Sequence, residues 1–191
     1  MERSLILVKP DGVVRGLSGV IIGRLERAGL KVVALKIVVP DKKIAEKHYP
    51  WDPAWAQNIW NKTSKVYEAK GQKMPAKDWE EFGKRIRSTL MNYIVGRPVV
   101  AMVIEGNDAV ASVRKICGAT SPHVADPGSI RGMYSTDSYE ASDKTGRSVV
   151  NIMHASDSVA TAEKEIPVWF TEKEIIRYKR TDEDAIFGKF D

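Results

Sequence analysis

Four apolar runs separated by helical patterns restrict the fold of this chain more than any other feature. They are typical of buried strands and cover residues 3–9, 32–39, 98–104 and 149–153. A helix with Ser18 as its cap and Gly29 as its stop is predicted after the first run, and a second helix, between Asn107 and Gly118, is predicted after the third. The resulting βαββαβ order predicts an α+β fold with a ferredoxin-like antiparallel sheet and its helices on one face.

Two segments fall outside this unit. Residues 51–85 hold four of the five tryptophans, which are too many to leave in water, so we predict a helical insertion that packs on the main body or on a neighbour. Residues 134–146 are polar and lack periodicity, so we predict a long surface loop. A chain of 191 residues suffices for one core, and we expect a single domain over residues 1–191.

The composition excludes several classes of protein. Hydrophobic residues at 43% and charged residues at 29% are typical of a globular chain, and no apolar run approaches the ~18 residues of a membrane span. The apolar run that follows Met1 is too short for a signal peptide. Cys117 is the only cysteine, which excludes an internal disulfide and a cysteine-rich metal site. We therefore expect a cytoplasmic protein that does not enter a membrane.

The positive charge of the chain is concentrated in one region. The net charge is +5, and the excess of lysine and arginine lies in residues 61–97. Such a region attracts the phosphates of a nucleotide or a nucleic acid, but for residues 61–81 we prefer the interpretation of a solvated helical face. RNA-binding domains with the same element order display aromatic side chains on their central strands, where this chain has the aliphatic residues Leu5, Leu7, Val100 and Met102. A non-catalytic nucleotide- or RNA-binding module is the alternative to an enzyme, and we expect no dedicated nucleic-acid partner.

The residues that could carry chemistry lie at the ends of the predicted elements. His154 lies where a strand is followed by a helix, and Glu165 on that helix could fix the tautomer of the imidazole and stabilise its charged form. Positive and hydroxyl groups that could bind phosphate without a glycine-rich phosphate loop are Lys9, Arg114, Thr120 and Arg131. His48, His123 and His154 lack ligand-type spacing, so we do not expect a metal cage built by the protein.

Several stretches of the chain resemble one enzyme family. They are LILVKPDGVVRGLSGVIIGRLERAGLKVVALK, the HYP segment, RPVVAMVIEGNDAV, VRKICGATSPHVADPGSIRG and NIMHASDSVATAEKEI. In this order they are similar to the nucleoside diphosphate kinases. The insertion after Tyr49 and the TSPH sequence resemble an archaeal subgroup of that family.

The resemblance implies a role for each matched residue. His154 is the nucleophile that takes a phosphoryl group from a nucleoside triphosphate and passes it to a nucleoside diphosphate in a ping-pong mechanism. Glu165 holds its other ring nitrogen, and Ser156 supports Glu165. The residues implied to bind the phosphates are Lys9, Tyr49, Arg114, Thr120 and Arg131. Asn151, with Lys9, contacts the sugar hydroxyls.

The resemblance also implies a cofactor and an assembly. Magnesium is implied as a nucleotide-bound ion that Asp157 reaches at most through water. Where the family has a base-stacking phenylalanine, an ungapped match puts Ile86, which shares an apolar helical face with Leu90. The implied assembly is a homo-oligomer, a hexamer or a tetramer. Because both His154 and Glu165 are retained, a family member that serves only as a scaffold is disfavoured.

Overall fold

The computed structural model describes residues 1–188 and is built on a four-stranded antiparallel sheet. The strands are β1 (Glu2–Val8), β2 (Lys31–Val38), β3 (Val99–Gly106) and β4 (Met153–Ala155), in the spatial order β2-β3-β1-β4. The central strand β1 pairs with β3 over its whole length and with β4 over three residues. This sheet confirms the predicted antiparallel α+β architecture.

Ten α-helices connect and cover the strands in the described residues. They are α1 (Pro10–Val14), α2 (Ser18–Arg27), α3 (Lys42–His48), α4 (Pro53–Ala69), α5 (Trp79–Ile94), α6 (Ala109–Cys117), α7 (Ile130–Tyr134), α8 (Tyr139–Thr145), α9 (Val159–Trp169) and α10 (Glu183–Ile186). Short 3-10 helices lie at Pro122–Val124 and Glu172–Glu174. No helix in residues 1–188 combines the length and the apolar character that crossing a membrane requires.

Helices cover both faces of the sheet. Because successive side chains of a strand point to opposite faces, Ile6 and Val8 pack with α2 and α6, whereas Leu5 and Leu7 pack with α3, α5 and α9. All four of these β1 side chains are fully buried. The two helices of the βαββαβ unit therefore share one face, as predicted. The other face is also covered, by helices that lie outside that minimal unit or follow it.

Two boundaries differ from the sequence-based prediction. The fourth strand begins at Met153 and not at residue 149, because Ile152 has a left-handed backbone (φ 69°) that interrupts an extended run. Asp108, not Asn107, is the N-cap of α6, and Glu2 accepts the hydrogen bond from the Val110 amide at 2.6 Å.

The prediction of a loop over residues 134–146 is wrong for most of its length. The segment contains helix α8, which begins after Ser138, whose hydroxyl accepts from the Ala141 amide, and ends at Gly146 with φ 64°. A serine N-cap and a left-handed glycine stop are sufficient to define a two-turn helix. Its polar composition hides the helical periodicity, because Ser142 is its only buried residue.

The insertion is helical, as predicted, and its two helices pack closely. A Cβ atom added to Gly83 of α5 would lie 2.5 Å from Cβ of Ala56 on α4, so glycine permits the close approach of the helices. Trp51 stacks on Trp79 with 6.5 Å between ring centroids, and Trp60 meets the edge of Phe82 at 5.8 Å. The second helix continues past residue 85 to Ile94, where it joins the core of the sheet.

Candidate active site

His154 lies in the middle of the short edge strand β4, opposite Leu7 of β1. The helix that follows, α9, begins after Ser158, whose hydroxyl accepts from the Thr161 amide. The strand fixes the backbone of His154, and the capped helix returns Glu165 toward its imidazole. The serine-rich turn after His154 therefore starts a helix, as the sequence predicts.

The backbone before His154 is held in an unfavourable conformation. Ile152 is a β-branched residue with φ 69°, which ordinarily costs about 1–3 kcal/mol. Its amide donates to Oδ2 of Asp11 at 3.0 Å, and its carbonyl accepts from the Lys9 amide at 2.7 Å. A Cβ added to Gly12 would lie 3.0 Å from the same carbonyl and 2.7 Å from Val8. The turn after β1 therefore packs closely against the segment that carries His154 and hydrogen-bonds to it. The sequence did not reveal this role for Asp11 and Gly12.

The carboxylate of Glu165 holds one nitrogen of the His154 ring. Nε2 of His154 lies 2.9 Å from Oε1 and 3.0 Å from Oε2 of Glu165. Ser156 is fully buried and donates to Oε2 of the same carboxylate at 2.6 Å. An ionised carboxylate only accepts, so Nε2 carries a proton and the neutral ring has its lone pair on Nδ1. The three residues form the arrangement expected of a histidine nucleophile and its orienting group.

His48 lies beside this pair, a position that the sequence analysis did not assign to the site. Its ring meets the edge of the His154 ring at 4.7 Å between centroids, and its Nδ1 accepts from the Trp169 indole at 3.3 Å. Burial lowers the pKa of His48 well below its ordinary value, and the charges of His154 and Lys9 lower it further. Because Nδ1 accepts a hydrogen bond, it carries no proton, and the 3.9 Å separation from Glu165 is not an ion pair. The only sequence signal was its place next to Tyr49.

Lys9, at the end of β1, is buried and partnered by Asn151. Its Nζ donates to Oδ1 of Asn151 at 2.8 Å, and Nδ2 of Asn151 donates to the Thr120 carbonyl at 2.8 Å. Burial lowers the pKa of Lys9 to about 8, and the nearby Arg131 guanidinium acts in the same direction. A buried cation that has no salt bridge with residues 1–188 is suited to bind an anion.

Arg131 is also buried, and three of its donors are used inside the protein. They contact the carbonyls of Asn151 at 3.2 Å, Gly118 at 2.9 Å and Met153 at 2.7 Å. A guanidinium has five N–H donors, so two remain for a ligand. Burial lowers the pKa of Arg131 from its ordinary value, which still leaves the group charged. Arg131 therefore stabilises the backbone around His154 and also lines the cleft.

The remaining predicted residues meet in one cleft of about 860 Å³. The predicted residues that line it are Lys9, Tyr49, Ile86, Arg114, Thr120, Arg131, Asn151, His154, Asp157 and Glu165. Ser156 lies behind Glu165, outside the lining. Arg114 is exposed and makes no hydrogen bond with any residue between 1 and 188. Burial raises the pKa of Tyr49, and the Glu165 charge raises it further, so its hydroxyl remains a neutral donor.

The insertion forms part of the cleft wall. Trp55, Ile59, Thr63 and Val66 of α4 line it together with Ile86 of α5. Ile86 is half-buried and lines the cleft, as does Leu90 one turn further along α5. Ile86 is therefore accessible from the cleft. Whether the base contacts Ile86 stays a prediction.

One group of side chains in the site carries the donor atoms that a metal ion requires. Ligand atoms of His48, His154 and Glu165 lie within 4.8 Å of one another. However, the Glu165 carboxylate is used by His154 and Ser156, and Nδ1 of His48 is used by Trp169. Asp157 also lines the cleft, and its hydrogen bond with Thr161 lowers its pKa, so it is ionised. A single carboxylate ligand suits a hard cation that is carried by a phosphate ligand.

An imidazole with one free nitrogen, beside a buried lysine and two arginines, is suited to accept a phosphoryl group and pass it on. Fold and site together therefore indicate a phosphotransferase that acts through histidine. The family model of nucleoside diphosphate kinase matches residues 2–53 and 56–175. The chain belongs to the nucleoside diphosphate kinase family, and its activity is that of a nucleoside diphosphate kinase.

Individual relatives agree with this assignment over nearly the full chain. The nucleoside diphosphate kinase of Pyrobaculum aerophilum is 45% identical over 180 residues, which are 92% of this chain and 98% of that protein. The crystal structure of an NDP kinase from the same organism superposes with a TM-score of 0.87 at 44% identity, covering 92% of this chain and 99% of the other. A transition-state mimic of the Borrelia burgdorferi enzyme with bound vanadate and ADP gives a TM-score of 0.79 at 38% identity, covering 96% and 95% of the two chains.

Proposed function

We propose that this enzyme transfers the phosphoryl group in two steps through phospho-His154. The observation that carries this proposal is the pair of hydrogen bonds between Nε2 of His154 and Glu165, which leaves Nδ1 free at the wall of the cleft. A neutral imidazole nitrogen is a competent nucleophile near neutral pH. A relative from Borrelia burgdorferi was solved as a transition-state mimic with bound vanadate and ADP, which supports phosphoryl transfer by a protein of this family.

In the first step, Nδ1 of His154 attacks the γ-phosphorus of a nucleoside triphosphate. An N–P bond forms, the bond from phosphorus to the β–γ bridging oxygen breaks, and the nucleoside diphosphate leaves with that electron pair. The proton on Nε2 stays in place, and Glu165 stabilises the positive charge that develops on the ring. In the second step, a β-phosphate oxygen of another nucleoside diphosphate attacks, and the N–P bond breaks.

The cationic residues of the cleft are assigned to the phosphates. Lys9 and Arg131 are buried near the reacting nitrogen, and Arg114 is exposed with all of its donors available. Guanidinium contacts strengthen as the equatorial oxygens of the transferring group gather charge. The Tyr49 and Thr120 side chains line the same cleft and offer hydroxyl donors. Asn151 orients Lys9 and, with it, is assigned to the sugar hydroxyls.

Magnesium is proposed to enter with the nucleotide and not as a resident of the protein. The ion prefers oxygen ligands and several waters, and it is held by one or two carboxylates plus substrate phosphates. Asp157, a carboxylate of the cleft that has no salt bridge with residues 1–188, fits this description. When bound, the ion neutralises phosphate charge, while the residues of the chain orient the phosphoryl group.

The chain is further proposed to act as a single domain in the cytoplasm and as a homo-oligomer, a hexamer or a tetramer. The edge strand β2 supports association, because Leu35 and Ile37 are 51% and 68% exposed on one face, and Val39 continues that row at 59%. An exposed apolar row on an edge strand is costly in a monomer. Light scattering measures the assembly size directly.

Initial rates test the proposed mechanism. ATP and GDP are varied together, and double-reciprocal plots at several fixed GDP concentrations are compared. A phosphoenzyme intermediate predicts parallel lines, because the first product leaves before the second substrate binds. Intersecting lines would require both nucleotides to be bound at once and would refute the two-step proposal. A protein that binds nucleotides without any turnover would support the non-catalytic alternative.

A further inference from the structure

Tyr93, near the end of α5, contacts two groups of the site without lining the cleft. Its hydroxyl donates to Oδ1 of Asp11, and its ring centroid lies 5.3 Å from Nζ of Lys9. The side chain is half-buried and lies outside the cleft lining, so any effect on the reaction passes through these two neighbours. The roles assigned to the cleft residues leave both contacts of Tyr93 unexplained.

The Asp11 carboxylate connects the Tyr93 hydroxyl to the segment that carries His154. Its second oxygen, Oδ2, accepts from the amide of Ile152 at 3.0 Å, and this residue, two positions before His154, has the left-handed φ of 69°. Burial raises the pKa of Tyr93, and the Asp11 charge raises it further, so the phenol keeps its proton and donates near neutral pH. Because both carboxylate oxygens accept a hydrogen bond, the orientation of Asp11 is fixed, and the turn at Ile152 is held with it.

The ring of Tyr93 acts on the second group, the Lys9 ammonium. A cation within about 6 Å of an aromatic centroid is attracted by the negative face of the ring. Lys9 is buried, and burial lowers its pKa to about 8, so a contact that favours the charged form affects its protonation near neutral pH. Nζ also donates to Oδ1 of Asn151 at 2.8 Å. The ring and the amide together fix the direction of the ammonium group.

We propose that Tyr93 is a positioning residue for phosphoryl transfer. Its hydroxyl acts through Asp11 on the turn that presents His154, and its ring acts on the Lys9 ammonium. The proposal rests on the proposed function, because it assigns Tyr93 to groups that carry out and assist the transfer. Tyr93 belongs to α5, which begins in the insertion, so its contacts join the insertion to the reacting groups. A small displacement of the nucleophile slows a transfer strongly, since the reacting atoms must be aligned.

Matched phenylalanine variants test the hydroxyl. Tyr93→Phe keeps the ring and removes the hydrogen-bond donor. Tyr178→Phe is the control, because Tyr178 makes the same two kinds of contact away from the cleft. Its ring centroid lies 5.3 Å from Nζ of Lys31, and its hydroxyl donates to the Val32 carbonyl at 2.8 Å.

The two variants should differ in kcat. Tyr93→Phe should lower kcat about tenfold with KM changed by less than about twofold, because the reacting nitrogen is misaligned while the phosphate contacts remain. Tyr178→Phe should leave both constants at the parent values. Both are assayed well below their melting temperatures, so that a loss of kcat does not reflect unfolding. A kcat of Tyr93→Phe equal to that of the control would overturn the role of the hydroxyl.

A double variant shows whether the hydroxyl acts through Asp11. Asp11→Ala removes the acceptor of the Tyr93 hydroxyl and of the Ile152 amide, so it should lower kcat by more than Tyr93→Phe does. Once the acceptor is absent, removal of the hydroxyl has no further route to His154. Asp11→Ala with Tyr93→Phe should therefore have the kcat of Asp11→Ala alone, within about twofold. Multiplied losses in the double variant would overturn the route through Asp11.

The pH dependence of kcat/KM tests the ring. Loss of the Lys9 proton, with a pKa of about 8, is expected to set the alkaline fall of kcat/KM. Tyr93→Leu removes the ring that favours the charged form, so this fall should move to lower pH by about 0.5 to 1 pH unit. Tyr93→Phe keeps the ring, so its kcat/KM should fall at the parent pH.

The other groups that face Lys9 are the same in both variants. They are the titratable or charged residues Asp11, His48, Cys117 and Arg131, together with the Asn151 amide. The pH of the fall does not depend on the fraction of folded protein, so it separates the role of the ring from a loss of stability. A fall at the same pH in Tyr93→Leu and Tyr93→Phe would overturn that role. A parent enzyme with no transfer at all would contradict the proposed function instead.

Discussion

Replacing Lys9 with methionine is expected to stabilise the free protein while abolishing its activity. The pKa of Lys9 is lowered from its ordinary value of 10.5 to about 8, mainly by burial. At 1.36 kcal/mol per pKa unit, the lowered pKa corresponds to a cost of about 3 kcal/mol for keeping the charged lysine buried in the folded state. Methionine has a similar length and no charge, but it removes the hydrogen bond to Asn151, which is worth about 1 kcal/mol. The net expectation at pH 6.5 is a gain of about 2 kcal/mol in the free energy of unfolding.

The sign of the pH dependence follows from the same pKa. Below pH 8 lysine is protonated in both folded and unfolded chains, so the parent carries the full cost. Between pH 8 and 10.5 the folded protein has lost the proton that the unfolded chain still binds, so the parent becomes more stable as the pH rises. The advantage of Lys9→Met over the parent should therefore shrink across this interval.

Urea denaturation at pH 6.5, 8 and 9.5, with phosphoryl transfer assayed in parallel, measures both effects. Lys43→Met is the matched control, because Lys43 is exposed and has no ion pair or hydrogen bond with any residue the structure describes. Stability and activity should remain at parental values in this control. If Lys9→Met is less stable than the parent at pH 6.5, or if its stability difference does not change with pH, the assigned cost of burying Lys9 is wrong.

Three further substitutions test the site. Glu165→Gln should lower kcat about 100-fold, because an amide cannot balance the charge on the His154 ring. Glu163→Gln, on the exposed side of α9, should leave kcat unchanged. If the two variants have equal kcat, the role assigned to Glu165 is excluded. Gly12→Ala should lower the free energy of unfolding, measured in urea, by about 2 kcal/mol, because its Cβ would lie 2.7 Å from Val8. Gly19→Ala has open space around its Cβ and should be neutral or stabilising. A neutral Gly12→Ala would contradict the close packing. Arg131→Ala should lower both kcat and the melting temperature, since Arg131 also binds three carbonyls; an increase in KM alone would refute its role in transfer.

The elements with strong periodicity could be predicted from the sequence. The apolar run of β1 and the spacing of Ile21 and Leu25 in α2 reflect burial, which acts directly on residue choice. Helix α8 was missed because it is held by its caps and buries only Ser142, so it leaves no apolar pattern. The start of β4 was misplaced because a left-handed backbone at Ile152 depends on contacts with Lys9 and Asp11, which are distant in sequence.

The residues of the candidate site could be predicted from sequence motifs. The residues that pack around them and hold them in position could not. His154 and Glu165 lie 11 residues apart, close enough for a strand and helix to bring them together. His48 and Trp169 are 121 residues apart and meet only because α3 and α9 pack on the same face of the sheet. No local pattern indicates such a contact. The position of α4 at the wall of the cleft similarly depends on contacts with α8, such as the hydrogen bond that Tyr67 donates to Asp143.

The most direct test of the account is the chemical identity of the phosphorylated enzyme. The protein is incubated briefly with ATP labelled at the γ-phosphate, without an acceptor, and the label is then followed through acid, alkali and added GDP. The account predicts a label that is lost in acid, survives alkali, passes to GDP and is absent from His154→Asn, because the N–P bond forms on the His154 ring. A label that persists in His154→Asn, or that GDP does not remove, would contradict transfer through His154.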